Sequence, residues 1–456
     1  MNSCPLEFSG ARFKARCLSA IFMFCLSLCW NNDMSYFQFI HTGDIHLDSP
    51  LKGLSGQEGP AAERIRTATR TAFEDLVTQA INGQVAFMVI AGDLYDGDWR
   101  DFQTGLFFVR QMGRLHAANI PAFVLHGNHD AESQITKRLT LPDNVQVFAY
   151  RKSQTFKLED HRVALHGQSF RMQATTDNLA AAYPPPVKGY FNIGVLHTAL
   201  GGTNGPHENY APCTLDELVN KGYDYWALAH VHQGGVLHEH PHVVFCGNLQ
   251  SRHIREAGAK SAQLITVQDG ALQGIEPVHT DVVRWIYLDV PVGECVRFGD
   301  VIDQIKSIIG KVTRNAEGRL LACRIQLSGT TALHGELLAS GPQLLAEARA
   351  AALALGEEVA WIERVINATR PASAVSILSD GSAINDLPVL LAQAADDADL
   401  QAEIASDLGD VVRRLPHDAA LDIDDPLLEA AINKDFGAVI EQAGAYLSAR
   451  LAAERR

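Results

Sequence analysis

The chain has no Cys-x-x-Cys pair, although it holds 8 cysteines in 456 residues. Cys4, Cys17, Cys25 and Cys29 crowd the first 29 residues, while Cys213, Cys246, Cys295 and Cys323 are scattered over the rest. That spacing excludes a disulfide framework and a structural zinc ribbon, and it fits a reducing, cytoplasmic compartment. Positive charge is also scarce: 38 Lys and Arg stand against 53 Asp and Glu, a net of −15. A protein that coats nucleic acid through bulk positive charge is thereby excluded, whereas a local basic groove is not. The apolar run Leu18–Trp30 stops at 13 residues, short of the roughly 20 that a membrane helix needs, so no membrane partner is expected. There is no fixed-period repeat. Gly258-Ala259-Lys260-Ser261 lacks the upstream glycine of a phosphate loop, so the chain carries no ATPase motif of its own.

What is present reads as a globular α/β protein in several parts. Arg12, Lys14 and Arg16 before Leu18–Trp30 resemble the start of an export signal, but no small-x-small site follows, and Met34 opens a strand-like run. The expectation is that residues 1–33 are an N-terminal extension, a mis-set start or a signal-like segment, with Met34 as the true start. Residues 34–278 alternate short β-branched runs with helical patterns, 279–370 repeat a β-α-β-α-β order, and 371–456 form an acidic helical tail. In that tail Asn385–Arg456 alone holds 15 acidic against 6 basic residues.

Within the first part the strands expected are Phe37–His41, Val85–Ala91, Ile120–Leu125, Arg162–His166, Ile193–Leu196, Tyr225–Ala229 and Val243–Cys246. Gln263–Val267 is expected as a closing edge. Glu63–Asn82 and Phe102–Ala117 show the periodicity of helices. In the second part Trp285–Val290, Leu320–Leu327 and Val359–Val365 read as strands, and Asp300–Ile309 and Pro342–Leu355 as helices, with Gly356 suited to end the last. Pro388, Pro416 and Pro426 divide the tail into short helices.

The chemistry lies at strand ends. Five apolar runs each stop at a residue type that binds metals: Asp44-Ile45-His46, Gly92-Asp93, Gly127-Asn128-His129-Asp130, His197, and His230-Val231-His232. A lone Gly-Asp is usually a turn, and a lone His at a strand end is usually a satisfied polar group. Five in one chain are another matter, because the carboxyl ends of parallel strands line one crevice and bring distant residues together. The donors are Asp, Asn and His without Cys, a mixed oxygen and nitrogen set suited to manganese(II), iron(II) or zinc(II). They are too many for one tetrahedral ion. Two divalent ions about 3.5–4 Å apart would use them all and would clamp the attacking and leaving oxygens of a phosphate ester.

This ordered set resembles the calcineurin-like metallophosphoesterase superfamily. T-G-D-I-H-L-D, A-G-D-L-Y-D-G-D, H-G-N-H-D and the later G-N-L-Q-S-R-H-I-R-E-A-G-A-K look like its SbcD/YhaO branch of DNA repair exonucleases, strongly over residues 36–275 and in layout over 280–370. The resemblance implies a metallophosphoesterase β-sandwich flanked by helices, a smaller α/β capping domain at 279–370 and a helical C-terminal tail. It implies that Asp44, His46, Asp93 and His232 hold one metal and that Asp93, Asn128, His197 and His230 hold the other, most readily manganese. His129 would then assist the leaving oxygen, with Asp96 orienting it. Gly97 stands where protein phosphatases carry Arg, which argues against phosphoprotein substrates. Ala229 replaces the glycine usual before the last His-x-His, and its methyl is expected to narrow the site.

The same resemblance implies DNA as substrate, a separate SMC-like ATPase as partner, and admits a homodimer. Arg64, Arg66 and Arg70 near the first helix, and Arg252, His253 and Arg255 after the Gly247-Asn248 turn, are candidate contacts to DNA phosphates. The expected function is a metal-dependent DNA exonuclease, with endonuclease action open. A phosphoesterase acting on a small nucleotide or cyclic nucleotide is the alternative, and a scaffold that had lost its ligands is disfavoured because none is missing.

Overall fold

The structure, a computed structural model of the chain, describes residues 36–51, 60–96, 102–132, 139–201, 210–372, 387–414 and 426–453. The expectations for residues 1–33, Gly97 and Pro416 lie outside the described residues. The chain divides into two compact units. The first comprises residues up to Asp44, Leu76–Gly247 and Ala262–Val278; the second comprises Ile45–Asp75, Asn248–Ser261 and everything from His279 on.

Among the described residues, unit one contains twelve strands in two sheets. They are β1 (Tyr36–Thr42), β2 (Phe87–Ile90), β3 (Ala122–Val124), β4 (Val145–Val147), β5 (Gln154–Leu158), β6 (Val163–Gly167), β7 (Phe191–His197), β8 (Tyr225–Ala229), β9 (Gly235–Glu239), β10 (His242–Phe245), β11 (Ser261–Gln268) and β12 (Ala271–His279). The first sheet runs β12-β11-β1-β2-β3-β4 and the second β5-β6-β7-β8-β10-β9. Each has a parallel centre: β1 to β4 in one, and β6, β7, β8 and β10 in the other. Antiparallel strands flank this centre on one side in the first sheet and on both sides in the second.

Alternate residues explain how the sheets meet. Phe37 and Phe39, Phe87 and Val89, Val163 and Leu165, Ile193 and Val195, Tyr225 and Ala227, and Ile265 and Val267 share one buried core. Strand side chains alternate between faces, so each pair of residues two apart points the same way, and the two apolar faces make a β-sandwich. The outer face of the second sheet is also covered: Leu196, Trp226, Leu228, Val243 and Phe245 pack with Phe170, Tyr183, Tyr210 and Leu218. Helix Phe102–Ala117 appears with the expected bounds.

Two expectations need correction here. Gln263–Val267 lies in β11, which is an interior strand, and the edge is β12. The cause is a two-residue turn, Asp269-Gly270, with φ of 55° and 73°, the backbone that an Asp-Gly hairpin turn adopts. The single helix expected over Glu63–Asn82 is two, Pro60–Arg66 and Ala68–Asn82. Thr67 and Thr71 return their hydroxyls to the carbonyls of Glu63 and Thr67, a back-bonding that bends helices.

Unit two is built on three parallel strands, β13 (Val283–Pro291), β14 (Leu320–Ser328) and β15 (Ala360–Asn367), in sequential order. Helices Phe298–Val312 and Gly341–Leu353 supply Val301, Ile305, Ile309, Leu344 and Ala348 to the core on one face. The opposite face presents Val283, Trp285, Leu320 and Ala322, which pack with Leu51, Ala61, Ile65, Ala68 and Ile254. The stretches Ile45–Asp75 and Asn248–Ser261 thus belong to this unit because they cover its sheet. The tail is helical, as expected, but not uniformly short: Ala398–Arg414 has 17 residues and Phe436–Ala453 has 18. Leucine and alanine sustain these helices, and Ala430, Ala431 and Val439 form a small core with Ile404, Leu408 and Phe436. Among the described residues no helix is long and apolar enough to cross a membrane.

Candidate metal centre

Every ligand-type residue of unit one leaves the carboxyl end of a parallel strand. Asp44 follows β1, Asp93 follows β2, Asn128 follows β3, His197 closes β7, and His230 follows β8. The turns needed there strain the backbone: Asp44, Asp93 and His230 have φ of 47°, 52° and 103°. Such values cost side-chain-bearing residues on the order of 1 kcal/mol or more each, and they are kept where surrounding structure holds them. Asp48 and His46, further along the first of these loops, are also left-handed, at 62° and 45°.

Hydrogen bonds fix the carboxylates. The His230 backbone N–H donates to both oxygens of Asp44, at 3.1 and 2.9 Å. The His129 N–H donates to Asp93 Oδ1 at 3.0 Å. Asp130, which is buried, accepts from the N–H groups of Leu94, Tyr95 and Gly127 at 3.1, 2.9 and 3.0 Å. It therefore ties the loop after Asp93 to the loop that carries Asn128 and His129. Two glycines allow this closeness. A Cβ on Gly127 would stand 2.3 Å from Asp93 Oδ1, and one on Gly92 would stand 2.4 Å from His197 Nδ1.

Asp93, His197 and His230 each bring a donor atom within 4.8 Å of the others, and all three are buried. Asp44 and His232 meet within the same limit. His197 is held with Nδ1 3.2 Å from the Ala91 carbonyl, so Nδ1–H donates there. Nε2 then faces Asn128 Oδ1 at 2.9 Å and Asp93 Oδ2 at 3.3 Å. Three electron-pair acceptors at that range repel unless a cation stands among them. A proton can serve. Burial pushes the His197 pKa down, but Asp93 beside it, joined by Asp44, outweighs that and raises it to about 9. A divalent ion serves the same need, and the residues present fit one in both charge and donor type.

His46 stands two residues beyond Asp44 and is buried, with its Cα held by the chain within about 7 Å of that of Asp44. His129 stands outside the group of Asp93, His197 and His230. Its Nδ1 lies 3.4 Å from Asp96 Oδ1, and both side chains are partly open to solvent. The Ala229 methyl is buried in the core between the sheets, where a Cβ on Gly43 would come within 2.6 Å of it. It fills core space beside the residue that precedes Asp44.

The basic candidates are engaged within unit two. Arg64 donates to the Gly318 carbonyl at 2.6 Å and pairs with Glu358 at 3.6 Å. Arg66 pairs with Glu63 on the surface, and Arg70 grips Asp48 through two bonds of 2.6 and 2.5 Å. Arg252 and His253 both lean on Glu256, at 3.7 and 3.5 Å. Arg255 lies in the 3-10 turn Ile254–Glu256 and is exposed.

Sequence reasoning passed over Asp130, Phe170 and Tyr210. The Phe170 ring meets His197 edge-on with centroids 5.5 Å apart, and Tyr210 stands 5.7 Å from His230. The motif H-G-N-H-D contains Asp130, so that signal was present; the two aromatics have none in the text around them.

Known proteins resemble the chain in both of its main parts. Residues 37–234 match the calcineurin-like phosphoesterase family, and residues 285–370 match the middle domain of metallophosphoesterase YhaO. An uncharacterized metallophosphoesterase YhaO of Bacillus subtilis is 35% identical over 296 residues, 64% of this chain and 72% of that protein. The DNA double-strand break repair protein Mre11 of Sulfolobus acidocaldarius is 24% identical over 68% of this chain and 79% of its own length. A subunit of the nuclease SbcCD of Escherichia coli is 23% identical over 54% and 69% respectively.

Proposed function

The chain belongs to the calcineurin-like metallophosphoesterases and, among them, to the YhaO family, and from that premise we propose that it is a metal-dependent DNA exonuclease of DNA repair. The observation that carries the reading is the meeting of Asp93, Asn128, His197 and His230 at the ends of strands from both sheets, with His129 beside them on Asp96. Asp44, His46, Asp93 and His232 would hold one divalent ion, and Asp93, Asn128, His197 and His230 the other, with Asp93 shared. When bound, such a pair supplies Lewis acidity toward a phosphoryl group. Manganese(II) suits the mixed donor set best.

The protein's own groups do the rest. The Ala91 carbonyl keeps His197 turned with Nε2 toward the ligands. Backbone N–H groups of His230 and His129 hold the two carboxylates at fixed orientation. The imidazole of His129, steadied by Asp96, gives a proton to the departing oxygen of the cleaved strand. DNA as the substrate is supported by the likeness to Mre11 and to the SbcCD nuclease. The relative in SbcCD is named as one subunit of a nuclease, which supports looking for a partner subunit; the SMC-like ATPase is the partner that the resemblance in the sequence implies. Cys213, Cys246, Cys295 and Cys323 are free thiols, which supports a cytoplasmic place.

Digestion of end-labelled duplex DNA tests the reading. We expect nucleotide release with manganese, none with EDTA, and none from His129→Ala. Hydrolysis of bis-p-nitrophenyl phosphate without any attack on DNA would overturn the nuclease reading and direct attention to a small diester.

A further inference from the structure

Outside the ligands, one turn of unit one is built into the centre from both of its roots. At the first root, Phe170 donates its N–H to the His126 carbonyl at 2.9 Å, and the Ser169 hydroxyl is fixed between His126 N–H and the Phe148 carbonyl. Phe170 itself lies against His197. At the second root, the Ala211 N–H donates to the Thr175 carbonyl at 2.7 Å, and the Thr198 hydroxyl donates to the Ala211 carbonyl at 2.8 Å. Tyr210, next to Ala211, lies against His230. Within the turn, the Thr175 hydroxyl closes on the Met172 carbonyl at 2.8 Å.

The turn is therefore held at the rim of the His197 and His230 pair, while its tip, Arg171 and Met172, is exposed. Arg171 has no carboxylate partner among the described residues, in contrast to Arg64, Arg66, Arg70 and Arg252. In a chain of net charge −15, a guanidinium without a carboxylate partner, one residue from a ring that touches His197, is suited to meet an anion. A planar guanidinium matches two oxygens of a phosphodiester.

We propose that Arg171 grips a phosphate next to the one being hydrolysed, and so selects polynucleotides over small phosphodiesters. The proposal rests on the nuclease reading and names the residue that gives it substrate preference. Arg171 is a specificity residue; the phosphate it holds is not the reacting one.

The test compares a short DNA duplex with bis-p-nitrophenyl phosphate, with manganese, over a range of KCl concentrations. For Arg171→Ala we expect KM for DNA to rise about tenfold, as for a lost charge-assisted contact, with kcat much less affected. The log–log salt slope should fall by roughly one phosphate contact. The loss of kcat/KM on DNA should exceed that on the small diester several-fold. Arg171→Lys should restore the salt slope and part of KM, and Met172→Ala should leave the slope as it is. Equal losses on both substrates, or an unchanged KM and slope, would overturn the proposal. Wild-type protein that hydrolyses the small diester but not DNA would overturn the nuclease reading and this proposal together. An active nuclease indifferent to Arg171→Ala overturns the proposal alone.

Discussion

Asp93 and His129 are 36 positions apart and joined by one hydrogen bond from the His129 backbone, yet their side chains differ in kind. Asp93 is buried with His197 and His230, whereas the His129 imidazole is not in that group and stands, partly open to solvent, on Asp96. Asp93→Ala should therefore lose bound metal, and His129→Ala should keep it while turnover falls by about 10²-fold or more, the scale of a lost general acid. Metal content by atomic emission, measured beside the nuclease rate, separates the two; a fully active His129→Ala protein would remove that residue from the chemistry. At this scale each candidate donor is announced by the apolar strand before it. Position was less legible. Asp130 works through backbone N–H groups as far as 36 residues away, and Phe170 and Tyr210 act by lying against imidazoles, which no local pattern in the sequence encodes.

The hairpin of β11 and β12 shows what a short signal sets at the level of elements. Its Asp-Gly turn decides that β11 is interior, and overlooking those two residues turned an inner strand into an edge. Gly270 has φ of 73° and open space around a Cβ built there. Gly270→Ala should thus cost only the backbone preference, about 1 kcal/mol, read as a shift in the urea midpoint with activity kept; a loss beyond ~2 kcal/mol would show that packing is also involved. Strands with strong alternation, such as β1 and β8, were legible to within a residue or so. β4, β5 and β9 were missed, being short or weakly apolar, with sequences VQV, QTFKL and GVLHE. The break at Thr67 was hidden because apolar spacing continues through it.

For the molecule as a whole, the order of β, α and acidic tail was legible, but the membership of unit two was not. Contact between Ile65 and the sheet that carries Trp285 joins residues more than two hundred positions apart, and periodicity reports only near neighbours. Ile65 is 3% exposed, so Ile65→Ala should destabilise unit two by about 2–4 kcal/mol through lost burial and the cavity left behind. Chemical denaturation followed by tryptophan fluorescence would register it, since Trp285 lies in the same cluster; a change under ~0.5 kcal/mol would mean that this face is not packed as described. The covering of that face by two earlier stretches of chain has a bearing on inheritance. A gene segment starting at codon 279 would encode an orphan sheet with a greasy side laid bare. No single cut in the sequence separates the unit with that side still covered, because the covering stretches lie on both flanks of most of the sandwich's residues.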